Sequence, residues 1–245
     1  MSASGRYPDL VDAAHRAWIS FDSLNTMRSA RTAMAIIAVL VGGCAGRGIP
    51  ETIDPTVEVG AVDRTAPDAP LRVVFDWVIL DGEARFTGSG AARIEPPYRA
   101  RLDLFGPRGE GYLSAALVDS DVRLPPGTGT VPLPPPALMW AVLGVVAPPP
   151  GAVLAGTLVE EERAELHYSV GESRLRYVLE GGRLSEVRWE GDGRRMDVGL
   201  SGSAPGGLPR EAVYRDWSGY TELRMNVEQV DEVEPYPPEI WTPGA

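Results

Sequence analysis

From position 71 onward the chain alternates between apolar and mixed positions. Leu71, Val73, Phe75, Trp77 and Ile79 are all apolar, while Arg72, Val74, Asp76, Val78 and Leu80 fall between them. A period of two with one uniformly apolar face predicts a strand covered on that side. Asp81-Gly82 is a hairpin turn signal. Residues 84–94 return as a second strand, and Gly88 and Gly90 within it predict a bulge or sharp bend. Past Pro96-Pro97, the positions Tyr98, Ala100, Leu102 and Leu104 oppose Arg99, Arg101 and Asp103. Gly106-Pro107-Arg108-Gly109 turns the chain, and short strands over 112–118 and 122–124 follow.

The middle of the chain breaks this rhythm. Residues 125–136 are rich in Pro and Gly, and an apolar run then extends over 136–146. Pro136 suits a first helical position, and Pro148-Pro149-Pro150 forces a stop. A short helix that is apolar on nearly all sides must be buried or must cover something apolar. Alternation resumes over 165–170, 174–180, 184–190, 195–201, 210–216 and 221–230, with Gly181-Gly182 and Gly191-Asp192-Gly193 as turns. Leu175 and Tyr177, Met196 and Val198, and Leu223 and Met225 hold the apolar positions. About ten short antiparallel strands with one or two short helices make a mainly β fold. A single meander favours one curved sheet or incomplete barrel with a helical lid, and a two-sheet sandwich is the alternative. The tail over 236–245 is Pro-rich, with Ile240 and Trp241 as anchors.

The segment before the domain has a different character. Residues 33–43 form an uninterrupted apolar run, preceded by Arg28 and Arg31 without an intervening acid. The run is too short to span a bilayer, which takes about 20 residues, and has the length of a signal-peptide core. It ends on Val41-Gly42-Gly43-Cys44, and Cys44 is the sole cysteine, so no internal disulfide can form. That tetrapeptide resembles the lipobox of bacterial lipoproteins. The resemblance implies that the Cys44 thiol receives diacylglycerol and that cleavage occurs before it. Ala45, where Asp would favour inner-membrane retention, is compatible with outer-membrane sorting. Residues 1–26 carry Asp9, Asp12 and Asp22, which suit a signal peptide poorly. We therefore expect translation to start at Met27, making 27–43 the signal peptide and 1–26 a miscalled extension. Residues 44–70, with four prolines, read as the lipidated cysteine and a tether of roughly 30 Å mean reach.

Composition narrows the function classes. The chain has 245 residues and a net charge of −11. Residues 1–43 hold four Arg and three acids, so the chain from Cys44 onward carries −12. Such a surface argues against nucleic acid as a partner and against a polybasic grip on anionic lipid. No cofactor motif appears: there is no P-loop and no paired-glycine dinucleotide pattern. No Gly-x-Ser-x-Gly elbow occurs. His167 is the only histidine after Cys44, so a zinc site, which takes at least three protein ligands, is not expected. The runs Glu160-Glu161-Glu162 and Asp231-Glu232 read as solvated turns. Nothing points to an enzyme.

Several stretches together resemble the LolA/LolB family of lipoprotein-localisation proteins. They are the paired strands over 71–94 and the run Arg101-Leu102-Asp103-Leu104-Phe105-Gly106-Pro107-Arg108-Gly109. The helical segment 138–144 and Leu154-Ala155-Gly156 add to them. The resemblance implies an incomplete antiparallel barrel over 71–235, closed by helices, that binds acyl chains and acts as carrier or receptor at the periplasmic face of the outer membrane. A lipid or lipoprotein acyl chain would be the ligand, and a periplasmic carrier protein a possible partner. Inward positions expected to line the acyl cavity are Phe75, Trp77, Leu102, Leu104, Tyr112, Leu138, Trp140, Leu143, Tyr177, Trp189, Met196 and Met225. The turn Pro107, Arg108 and Gly109 lies near the family's membrane-delivery position, and it offers no apolar equivalent of the family's delivery side chain. The same inward residues would equally fill a closed core, which would leave an envelope lipoprotein with a structural or interaction role. An envelope hydrolase using paired carboxylates ranks below both.

Overall fold

A computed structural model describes residues 65–128 and 133–244. Twelve strands form one antiparallel sheet, in the order β5-β4-β3-β2-β1-β12-β11-β10-β9-β8-β7-β6. The first five are β1 (Leu71–Asp81), β2 (Ala84–Glu95), β3 (Arg99–Phe105), β4 (Gly111–Val118) and β5 (Asp121–Arg123). Helix α1 (Pro136–Val142) lies in the connection from β5 to β6. Then come β6 (Val153–Glu160), β7 (Arg163–Val170), β8 (Ser173–Glu180), β9 (Arg183–Gly191), β10 (Arg194–Ser201), β11 (Glu211–Asp216) and β12 (Thr221–Glu232). Every strand pairs with its sequence neighbour except across the α1 connection, and β1 pairs with β12. The sheet is therefore continuous through its first and last strands and ends, unclosed, at β5 and β6. The expected incomplete barrel is found, and the sandwich is not.

The interior follows from the alternation. Phe75, Trp77, Ile94, Leu117, Tyr177 and Val187 join one hydrophobic cluster with α1. The helix has no side-chain cap and spans only seven residues, too short to be stable alone. Burial holds it: Ala137 to Val142 are all buried, packed against β9, β10 and β11. Trp140 reaches the opposite wall, where its indole Nε1 donates to the Asp119 carbonyl at 2.7 Å and its ring meets Tyr98 edge-on at 5.7 Å.

Three expectations change on contact with the structure. Gly88 and Gly90 make no bulge, since β1 and β2 pair without a break from Leu71↔Ile94 to Asp81↔Ala84. Gly88 faces Trp77 and Gly90 faces Phe75, and a Cβ on either glycine would collide with the opposing ring. The glycines are sockets for aromatic rings. A twelfth strand, β6, escapes the alternation because Val-Leu-Ala-Gly-Thr-Leu-Val is apolar in both parities, and a bulge at Ala155 breaks the period. The helix ends at Val142, four residues early, because Gly144 takes a left-handed φ of 79° and turns Val145 and Val146 into the core.

Candidate functional site

The expected acyl cavity beneath α1 is occupied by the protein's own side chains. Phe75, Trp77, Leu138, Trp140 and Tyr177 are each no more than 2% exposed. Leu104, Leu143, Met196 and Met225 are also buried, and Leu102 and Trp189 pack partly buried against them. Tyr112 departs from the inward set. Leu104 pairs with Leu113 and Phe105 with Gly111, which leaves Tyr112 as the extra residue of a bulge. It lies over Trp77 at 5.0 Å with 48% of its surface exposed. The phenol of Tyr177 sits in this dry interior, and burial pushes its pKa far above the usual tyrosine range.

Open space lies elsewhere, at the barrel end where β8 turns into β9 and β10 runs toward β11. A cavity of about 660 Å³ is bounded there by residues 65–69 and Leu71, by Gly144, and by Glu180, Arg183, Leu184 and Ser185. Leu200, Ser201, Gly202 and the stretch Gly206 to Pro209 complete it, with Glu232 at the margin. Its volume falls in the range of small-molecule sites. None of the twelve expected residues lines it. Its walls combine the ends of β1, β8, β9, β10 and β12 with the segment 65–69, Gly144 and the β10–β11 connection, and which strand ends meet there depends on the tertiary fold rather than on alternation.

The connection between β10 and β11 closes the inner side of this cavity. Gly202, Gly206 and Gly207 all take left-handed φ angles there. Ala204 N–H donates to the Leu208 carbonyl at 2.9 Å, and Arg210 N–H donates to the Ser201 carbonyl at 3.0 Å. Pro209 packs so closely on Gly144 that a Cβ there would lie 2.7 Å from its ring, and Gly206 approaches Leu71 as tightly. Leu208 and Pro209 also wall a much smaller pocket of about 10 Å³, shared with Val73, Val142, Leu143, Ala212, Met225 and Val227. This second pocket is apolar and holds about one water's volume. A wall of two residues therefore separates the large cavity from the apolar interior, and Leu143 and Met225 are the expected residues that meet it.

Among the described residues, the one histidine belongs to an ion-pair network. His167 Nε2 lies 3.2 Å from Glu165, which also meets Arg176 at 3.7 Å and Arg163 at 2.9 Å. Burial raises the Glu165 pKa, but Arg163 and Arg176 outweigh it and hold the carboxyl below its usual range. Glu186 shares Arg176, at 2.6 Å, so the two carboxylates are spaced by a guanidinium on a sheet face. Among the described residues no three or more His, Cys, Asp or Glu side chains gather as a metal site. The Pro107-Arg108-Gly109 turn is exposed, with Arg108 N–H donating to Glu110 at 2.9 Å. Cys44 and Val41 to Gly43 lie outside the described residues. No helix among those described is long and apolar enough to cross a membrane.

Comparison with solved structures settles the architecture. A LolA superfamily protein from Nitrosomonas europaea superposes with a TM-score of 0.51 over 75% of this chain and 95% of its own, at 11% identity. This chain has a LolA-like fold. Weaker likenesses, both with a TM-score of 0.47 and 8% identity, link it to two further proteins. One is a putative outer membrane lipoprotein-sorting protein domain from Vibrio parahaemolyticus, over 70% of this chain and 89% of that one. The other is a DUF1329 family protein from Desulfovibrio piger, over 76% and 94%. No family model and no curated protein sequence matches the chain.

Proposed function

We propose that the protein is an envelope lipoprotein, anchored through Cys44, that binds acyl chains of a lipid or lipoprotein as a carrier or receptor at the outer membrane. The ligand enters at the end cavity rather than beneath the middle of α1. The observation that carries this reading is the shared wall: Leu208 and Pro209 stand between a cavity of about 660 Å³ and the apolar pocket at Met225 and Val227. Swinging the glycine-rich connection outward would join the two, leaving a polar mouth for a headgroup and an apolar floor for the chain. Each buried CH₂ would contribute about 0.8 kcal/mol before ordering costs.

Mass spectrometry of the protein released from membranes tests this. A co-purifying lipid or acylated peptide is expected, and it should be lost in Leu208→Glu, which puts a charge on the shared wall. A wild-type protein that carries no non-covalently bound acyl compound and takes up no fluorescent palmitate analogue would end the proposal. The anchor is tested separately, by labelled palmitate incorporation that disappears in Cys44→Ser. A second reading, an interaction lipoprotein without a lipid ligand, is favoured by the filled interior, where Trp140 and Phe75 are at most 1% exposed.

A further inference from the structure

The two free edges of the sheet are protected unequally. β5 is three residues long, carries the Asp121–Arg123 ion pair, and leads directly into Pro125-Pro126. The C-terminal tail pins it, with Arg123 Nη1 donating to the Trp241 carbonyl at 3.3 Å and Gly244 seated against Pro125 and Pro126. Short length, charge, proline and a covering segment are the usual means of blocking edge pairing. β6 is neither short nor interrupted by proline, and among the described residues no segment pairs with its outer edge. It is eight residues long, contains neither proline nor an internal charge, and past the Ala155 bulge it pairs regularly with β7 from Gly156↔His167 to Glu160↔Arg163. Among the described residues, its outer backbone groups have no partner. Leu154 and Val159 stand beside that edge, 37% and 48% exposed. Exposed Glu160, Glu161 and Glu162 continue it into the turn, and none of the three forms an ion pair among the described residues.

We infer that the β6 edge is a docking site for an extended, basic segment of another protein, which adds to the sheet as a thirteenth strand. Backbone hydrogen bonds to residues 156–160 supply the pairing, and alternate apolar side chains of the partner cover Leu154 and Val159. Its basic residues face Glu160 to Glu162. A second copy of this chain fits poorly, because it would bring −11 against −11 with the same acidic run at each edge. The inference is independent of acyl binding, since β6 contributes no wall to either cavity.

The test titrates the full-length protein with a fluorescent peptide alternating Arg and Val, beside Glu–Val and proline-interrupted controls. Saturable binding of the Arg–Val peptide alone is expected, with slowed amide exchange confined to β6. Affinity should fall by about tenfold or more in Val159→Lys, and again in the triple charge reversal of Glu160, Glu161 and Glu162 to Arg. Amide exchange on the wild-type protein reads the site even if a variant folds badly. Binding without β6 protection, binding that ignores both variants, or no binding at all overturns the inference. So does β6 protection that grows with protein concentration in the absence of peptide, which would assign the edge to a second copy.

Discussion

On the inner face of β1, Phe75 and Trp77 drop onto the bare glycines of β2 and against α1. On the outer face of neighbouring strands, carboxylates are threaded between arginines. Asp103 receives Arg93 at 2.5 Å, Arg101 at 3.1 Å and Ser114 at 2.7 Å. Glu222 bridges Arg215 and Arg224, and Glu186 bridges Arg176 and Arg188. Asp197 accepts from the Trp217 indole at 2.6 Å while Arg195 lies over that ring. The inner face is held by area and fit, which are insensitive to salt. The outer face is held by paired charges, whose worth depends on how far each pair is removed from water. Stability should therefore sit mainly inside, and its response to pH outside.

The largest break in this contrast is expected at Trp140. Trp140→Ala removes a side chain 1% exposed and orphans the Asp119 carbonyl, so it should cost about 3–5 kcal/mol. Urea unfolding followed by circular dichroism would measure it. A loss below 1 kcal/mol would mean that the interior does not depend on Trp140 and that α1 is a removable lid.

The inner face was legible in the sequence because a period of two survives in single residues. Alternation alone points Phe75, Trp77, Leu104, Tyr177, Met196 and Met225 inward, and all six are buried. Tyr112 is the exception, because its place in the bulge lays it half-exposed over Trp77, a position that alternation does not encode. Whether those residues surround a void is a question of volume, and alternation is the same for a hollow barrel and a filled one. The outer ladders were illegible for another reason. Arg93, Arg101 and Asp103 alternate visibly as polar residues, but which carboxylate meets which guanidinium depends on strand register. The end cavity depends on where strand ends at Leu71, Glu180, Arg183, Leu200 and Glu232 meet Gly144 and the 202–209 connection, which no local pattern encodes.

A middle-sized effect belongs to the outer ladder at Asp103. Burial raises its pKa, but the Ser114 hydroxyl and the Arg101 and Arg93 guanidiniums outweigh burial and hold it below the usual aspartate value. Glu165 and Glu222 are lowered by arginines in the same way, and Asp216 by Arg194 and the N–H groups of Gly219 and Ser218. A carboxylate with a lowered folded pKa stabilises fully above its unfolded value and loses that contribution as pH falls through the folded one. Stability should thus be flat near neutrality and decline from about pH 4 downward. Asp103→Asn should cost about 2 kcal/mol at pH 7 and flatten part of the acid decline. Parallel pH curves for variant and wild type would show that the ladder contributes geometry rather than charge.

The smallest effect is expected where the outer face is wettest. Arg72 Nη2 meets Asp231 at 2.7 Å, but the arginine side chain is 54% exposed and the carboxylate 33%. Two long side chains held together in water lose in rotamer freedom about what they gain in attraction. Arg72→Ala should leave the urea midpoint unchanged within error at physiological salt. The pair lies on β1 and β12, the seam that joins the two arms of the sheet, so the variant asks whether the seam needs its surface charge. A clear drop in midpoint, growing at low salt, would move part of the stability from the packed inner face to the charged outer one.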